Sequence, residues 1–175
     1  MAKILIIYST TDGQTEKICA RLKQVIEVYN NRVSLVSIEN GDSVDLDAFD
    51  KVVIGASIRY GKHSQSVYEF IENNARGLDD KPNAFFTVNV VARKPNKNRP
   101  ETNPYLKKFL KQISWKPKHL EVFAGKINYQ MYNYWDRMAI RFIMWITKGP
   151  TDPQTNIEFT DWNQVDNFGR VIGEM

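Results

Sequence analysis

The residues Ser9-Thr10-Thr11-Asp12-Gly13-Gln14-Thr15 combine four hydroxyls, an amide and one glycine in a single short loop. They follow the apolar run 4–8, which reads as a buried strand, and lead into a helical pattern from Gln14. A strand that ends this way at the head of a helix presents backbone N–H groups and the positive end of a helix dipole to a phosphate. The loop holds no Lys or Arg. It matches neither GxGxxG nor GxxxxGK(S/T), so the dinucleotide fingerprint and the nucleoside-triphosphate loop are both excluded here.

What remains resembles the flavodoxin-type loop that grips the phosphate of FMN through neutral donors. Ser9, Thr10, Thr11 and Thr15 would supply hydroxyls, and Gly13 takes backbone conformations closed to other residues. Asp12 departs from the plain flavodoxin pattern, in which a Thr precedes the Gly. A carboxylate beside a phosphate must turn away, for instance to bond N–H groups of its own loop. Two further loops suit a flavin ring. In Ser57-Ile58-Arg59-Tyr60-Gly61, Ile58 and Tyr60 offer apolar and aromatic surface, and Gly61 allows close approach. Arg59 reads as support for charge on a reduced flavin or as a solvated loop cation. His63 reads as a proton shuttle or, more simply, as a surface histidine at a helix start. Val88-Asn89-Val90-Val91-Ala92 is uncharged and suits the ring. Arg93, Lys94, Lys97 and Arg99 follow it and suit carboxylates, which Arg holds through two parallel bonds.

Residues 128–148 form an aromatic-rich insert. Trp135, Met138, Ala139, Phe142, Ile143 and Ile146 share one helical face; Ile140, Met144 and Trp145 extend it, and Arg137, Arg141 and Lys148 form a basic edge. The run is too short and too charged to span a bilayer. It suits a membrane interface or a greasy ligand pocket, the alternative being a helix packed wholly on the sheet. Charge is segregated as well. Residues 93–148 hold 13 Lys+Arg against 3 Asp+Glu, leaving 11 basic and 17 acidic residues elsewhere. Such asymmetry turns one region toward nucleic acid, anionic lipid or a carboxylate-bearing substrate, or leaves a solvated basic surface. No helix-turn-helix, RRM or zinc-finger signature is present, so no nucleic-acid partner is expected.

These groups must be positioned by 175 residues, enough for one domain over 1–175 with a sizeable core. The single cysteine, Cys19, excludes an internal disulfide and a Cys-based zinc site, and reads as a small core residue. The two histidines are too few for a histidine-rich metal site. The chain enters a strand at once without a signal peptide, which points to a reducing, cytosolic compartment. Strands are expected over 4–8, 33–38, 51–56, 83–91 and 120–125, and helices over 14–30, 65–74 and 104–113. A last helix is capped at Thr160-Asp161, with Trp162, Val165, Phe168 and Ile172 inward. The alternation predicts an α/β, flavodoxin-like fold: a five-stranded parallel sheet of order 2-1-3-4-5 with helices on both faces. Ligands then sit at the carboxyl ends of the strands, where the loops from Ser9, Ser57 and Asn89 meet.

Several blocks extend this resemblance over nearly the whole chain: Ser9-Thr10 with Asp12-Gly13-Gln14-Thr15, Val53 to Gly61, Thr87-Val88-Asn89 through Ala92-Arg93-Lys94-Pro95, Thr102-Asn103, Tyr134-Trp135-Asp136-Arg137, and Thr160-Asp161-Trp162. Together they are similar to the quinone-dependent protoporphyrinogen IX dehydrogenases of bacterial haem synthesis, a flavodoxin-like subgroup that shares Asp12. The resemblance implies FMN, held by residues 9–15, 57–61 and 88–92. It implies removal of six electrons from protoporphyrinogen IX and their transfer to menaquinone or ubiquinone at the membrane surface. The substrate's two propionates would suit Arg93, Lys94, Lys97 and Arg99. The ring and the quinone tail would suit the insert, with Trp135, Arg137, Arg141, Met144 and Trp145 on the membrane side and the protein peripheral on the cytoplasmic face of the inner membrane. Two other readings stand beside it: an FMN electron carrier, disfavoured by the basic face, and an FMN-dependent quinone reductase fed by NAD(P)H.

Overall fold

The computed structural model describes residues 1–175, the side chain of Asp42 excepted. Five parallel strands form the central sheet in the order β2-β1-β3-β4-β5: β1 (Lys3–Ser9), β2 (Arg32–Ser37), β3 (Lys51–Ser57), β4 (Asn83–Asn89) and β5 (His119–Ala124). The register runs Ile4↔Lys51 between β1 and β3 and Val52↔Asn83 between β3 and β4, which brings Ser9, Ser57 and Asn89 to one end of the sheet.

Alternation along β1 sends its side chains into two different cores, as a strand covered on both faces requires. Leu5 and Ile7 join Val52, Ile54, Phe85 and the buried faces of α2 (Gln65–Asp79) and α3 (Pro104–Leu110). Ile4 and Ile6 join Val53, Phe86, Phe123 and the faces of α1 (Gln14–Val28) and α5 (Trp162–Glu174). Cys19 lies in this second core, fully buried. Gly55 lies under Phe86, whose ring occupies the space a Cβ would need.

The insert differs from the single element expected. Lys126–Asn128 (β6) pairs antiparallel with Asn156–Glu158 (β7), a two-stranded ribbon with no strong alternation in the sequence to announce it. A 3-10 turn at Tyr129–Met131 follows, then α4 (Tyr134–Ile146), N-capped by Asn133, whose Oδ1 accepts from Asp136 N. The insert has a small core of its own, formed by Ile127, Tyr129, Tyr132 and Met144, with Val90, Ile140, Ile143 and Phe159 packed against it.

Candidate functional site

The loop after β1 opens at Gly13, which adopts φ +83° and serves as the N-cap of α1 without any side-chain capping bond. The first N–H groups of α1 therefore stay available at the positive end of the helix dipole. Thr10 Oγ1 accepts from Gly13 N at 3.0 Å and sets the turn. Thr15 Oγ1 is buried with no partner in the protein. Asp12 does turn away, but toward a cation and not toward backbone N–H groups: its Oδ2 lies 3.2 Å from Arg59 Nη1. Burial nonetheless pushes the Asp12 carboxyl above the ordinary carboxylate range, with Arg59 pulling the other way.

The loop after β3 closes as a tight turn. Arg59 N donates to Lys62 O at 3.0 Å and Lys62 N to Arg59 O at 3.2 Å. Its two central residues, Tyr60 and Gly61, have φ of 51° and 79°, the pattern of a type I′ turn. A tyrosine there accepts backbone strain. The Tyr60 hydroxyl bonds Asp136 in the first turn of α4, and Arg59 Nη2 reaches the same carboxylate at 3.4 Å. The Arg59 guanidinium also lies 5.2 Å from the centroid of the Tyr132 ring. Arg59 therefore links two carboxylates, is about three-quarters covered rather than freely solvated, and still lines the cleft.

The loop after β4 is fastened by two asparagines. Asn89 Oδ1 accepts from Ala92 N at 3.0 Å and from Asn103 Nδ2 at 3.2 Å. Asn103, fully buried, caps α3 by accepting from Tyr105 N and Leu106 N and donates to Lys97 O. Asn89 Nδ2 is left buried without a partner.

These loops enclose one cleft, with about 840 Å³ of space between atoms, part of it open to solvent. Thr10, Thr11, Asp12, Gln14, Thr15, the run Ser57 to Gly61 and the run Val88 to Val91 line it; Ser9, Gly13 and Ala92, expected with them, do not. Tyr105, Gly125, Lys126, Tyr132, Ile140 and Ile143 also line it; of these, only Ile140 and Ile143 belong to the apolar insert face expected to suit a membrane interface or a ligand pocket. Five of these six come from 125–143, where only the insert's amphipathic spacing hinted at a pocket.

Several expectations need correction. Arg93 is no free cation: it donates to Val90 O, Thr147 O and Thr147 Oγ1, and so pins the loop to the end of α4. Lys94, Lys97 and Arg99 do not line the cleft. Arg137 donates to Tyr129 O and Tyr132 O, and Arg141 to Thr151 O, so neither forms a free basic edge. Met144 faces inward, 3% exposed, and lines the cleft. Trp135, at 80%, and Trp145, at 70%, do face outward. His63 is buried among Phe85 and Phe109, and burial pushes its pKa down to about 4. It is neither a surface residue nor a shuttle near neutral pH.

A doubly wound sheet with its cleft at the β1/β3 switch point defines a flavodoxin-like protein. A flavodoxin domain model matches residues 5–154. The chain is 39% identical over 173 residues to the protoporphyrinogen IX dehydrogenase [quinone] of Escherichia coli strain K12, covering 99% of this chain and 96% of that one. To the protein of the same name from Leishmania major it is 43% identical over 167 residues, covering 95% and 72%. Flavodoxin 2 from Bacillus cereus superposes with a TM-score of 0.57 at 17% identity, with 99% of each chain covered, and an archaeal flavodoxin with 0.53 at 15%, with 98% and 96% covered. The chain belongs to the flavodoxin domain family and, within it, to the family of these protoporphyrinogen IX dehydrogenases.

Proposed function

We propose that this protein is an FMN-dependent oxidoreductase that takes protoporphyrinogen IX to protoporphyrin IX and passes the electrons to menaquinone or ubiquinone. The observation that carries the reading is the near end-to-end 39% identity with the E. coli dehydrogenase. The cleft fits the cofactor. Thr15 and Asn89 line it from the loops after β1 and β4, and Thr15 Oγ1 and Asn89 Nδ2, buried and without partners, would suit a phosphate and a ring edge. When bound, FMN supplies the two-electron redox chemistry between porphyrinogen and quinone.

The chain's own residues bind and orient. Hydroxyls of Thr10, Thr11 and Thr15 and the N–H groups of Gln14 and Thr15 would hold the phosphate. Arg59 offsets the Asp12 charge that would otherwise repel it. Ser57, Ile58, Gly61 and the 88–92 backbone edge the ring site, with Tyr60, Tyr105 and Tyr132 offering aromatic surface. Ile140, Ile143 and Met144 of α4 cover its apolar side and exclude water. The excess of basic residues over 93–148 favours the approach of a dianionic substrate.

Trp135, Met138, Phe142, Trp145 and Ile146 form an exposed apolar stripe on α4, at 46–80% exposure. No described helix is long and apolar enough to cross a membrane. Such a stripe suits shallow insertion at the cytoplasmic face of the inner membrane, where a quinone dissolved in lipid is met. The test is purification, identification of the released flavin, and assay of porphyrinogen oxidation with quinone as acceptor. A protein that carries FMN but oxidises no porphyrinogen would refute the reading.

A further inference from the structure

A second cavity adjoins the cofactor cleft and shares Thr11, Ser57, Arg59 and Tyr60 with it as a common wall. It has about 1240 Å³ of space between atoms, much of it open to solvent. Its lining contains no Asp or Glu. Lys62 and Lys108 stand at its sides; both are exposed, and neither has an ion-pair partner among the described residues. Hydroxyls of Ser9, Thr11, Ser64 and Tyr68 fill in between.

The cavity also receives the start of α2, a helix of 15 residues whose N-cap, Ser64, makes no side-chain capping bond. Ser64 Oγ instead lies 2.9 Å from both Ser9 Oγ and Ser66 Oγ. A hollow with two unpaired ammonium groups, several hydroxyls, an uncapped helix start and no acid is built for an anion. The cations of the 93–99 loop line neither cavity.

We infer that this cavity seats a carboxylate arm of the substrate, held by Lys62 and Lys108, while the ring of the same molecule reaches over the Ser57–Tyr60 wall toward the cofactor cleft. The inference rests on the proposed function and refines where the substrate's charge is read. Lys62 and Lys108 do not line the cofactor cleft, and the bonds of Lys62 to the cleft residue Arg59 are made by backbone that a side-chain change leaves in place. Their removal should therefore change recognition of the acid and leave the cofactor in place.

The experiment uses the FMN-loaded full chain as wild type and as the double variant Lys62→Gln/Lys108→Gln. Each is titrated with protoporphyrin IX and with its dimethyl ester, following porphyrin fluorescence. The account expects the variant to bind the diacid about tenfold or more weakly, since two charge-assisted contacts are lost, and the ester as wild type does. FMN retention should be unchanged, and added salt should weaken diacid binding more in wild type than in the variant. Equal diacid affinity in both proteins would overturn the inference while leaving the proposed function standing. Loss of FMN from the variant would overturn it too, by showing that the lysines serve the cofactor. A wild type that neither binds the porphyrin nor oxidises its reduced form would remove the function, and the inference with it.

Discussion

Arg59 and Asp136 form a 3.4 Å ion pair that ties the loop after β3 to the first turn of α4. Both side chains are about three-quarters covered, and the same guanidinium holds Asp12 in the phosphate loop. One residue thus couples the two ends of the proposed cofactor site to the helix that roofs it. Arg93 does the equivalent at the far end of α4 through Thr147. The insert is held over the cleft by one arginine from each of the loops after β3 and β4.

Replacing Asp136 by Asn should loosen the near end of that roof. The cost in global stability is small, about 1 kcal/mol or less for a partly exposed pair. The local effect is larger: amides of α4 should exchange faster while those of β1, β3 and β4 are unchanged. Hydrogen exchange followed by mass spectrometry reads this directly, and uniform protection in the variant would show that the pair holds nothing.

Arg93→Ala is expected to act through the fold. It strips three oxygens of their donor at the junction of the 90–93 turn and α4. Loss of a partly buried charged donor costs about 1–3 kcal/mol. A lower midpoint in urea, with Arg93→Lys recovering only part of it, is the expected outcome; a variant as stable as wild type would return Arg93 to the list of free cations.

Gly13 is needed for its backbone and not for space. A Cβ built there meets nothing within 4 Å, yet φ is +83°. Gly13→Ala should cost about 1–2 kcal/mol of strain and pull the loop out of shape. The variant should retain less flavin after dialysis, as read from visible absorbance. Full retention would contradict the assignment of this loop to the phosphate.

His63 gives a pH dependence with a definite sign. Burial pushes its pKa down to about 4 in the folded protein, against 6.5 when unfolded. The unfolded chain therefore takes up a proton that the native one refuses. This contribution is fully present above pH 6.5 and is lost as pH falls toward 4, up to about 3 kcal/mol in all. Urea midpoints at pH 7 and pH 5 should differ more in wild type than in His63→Gln. Equal pH dependence in the two would show that His63 is exposed to solvent.

The sheet and its order were legible because the strands are continuous apolar runs and the loops between them carry turn and cap residues such as Gly13 and Asn103. The loops that line the cleft were legible for the same reason: their turn and hydroxyl residues are local signals. What the sequence hid is long-range pairing. Nothing in the spacing of Asp12, Arg59 and Asp136 indicates that they meet, or that Arg93 is consumed by Thr147. The insert misled most where period alone was used. Met144 and Trp145 are neighbours in sequence, but a helix turns about 100° per residue, so one is buried and the other 70% exposed.

That difference sharpens the membrane test. Trp135→Ser/Trp145→Ser removes two exposed rings without touching the core, and should reduce sedimentation with anionic liposomes while single-turnover flavin reduction by porphyrinogen survives. Met144→Ala should instead cost about 2–3 kcal/mol by opening the insert's small core. Unchanged sedimentation of the tryptophan pair would remove the membrane role from this face.

The most direct test of the central claim is anaerobic mixing of the FMN-loaded protein with protoporphyrinogen IX, first alone and then with menaquinone. The account predicts bleaching of the flavin absorbance on addition of porphyrinogen, then its recovery together with growing porphyrin fluorescence when quinone is added. A flavin that stays oxidised in the presence of porphyrinogen, yet is bleached by NAD(P)H and reoxidised by quinone, would contradict it and identify a quinone reductase.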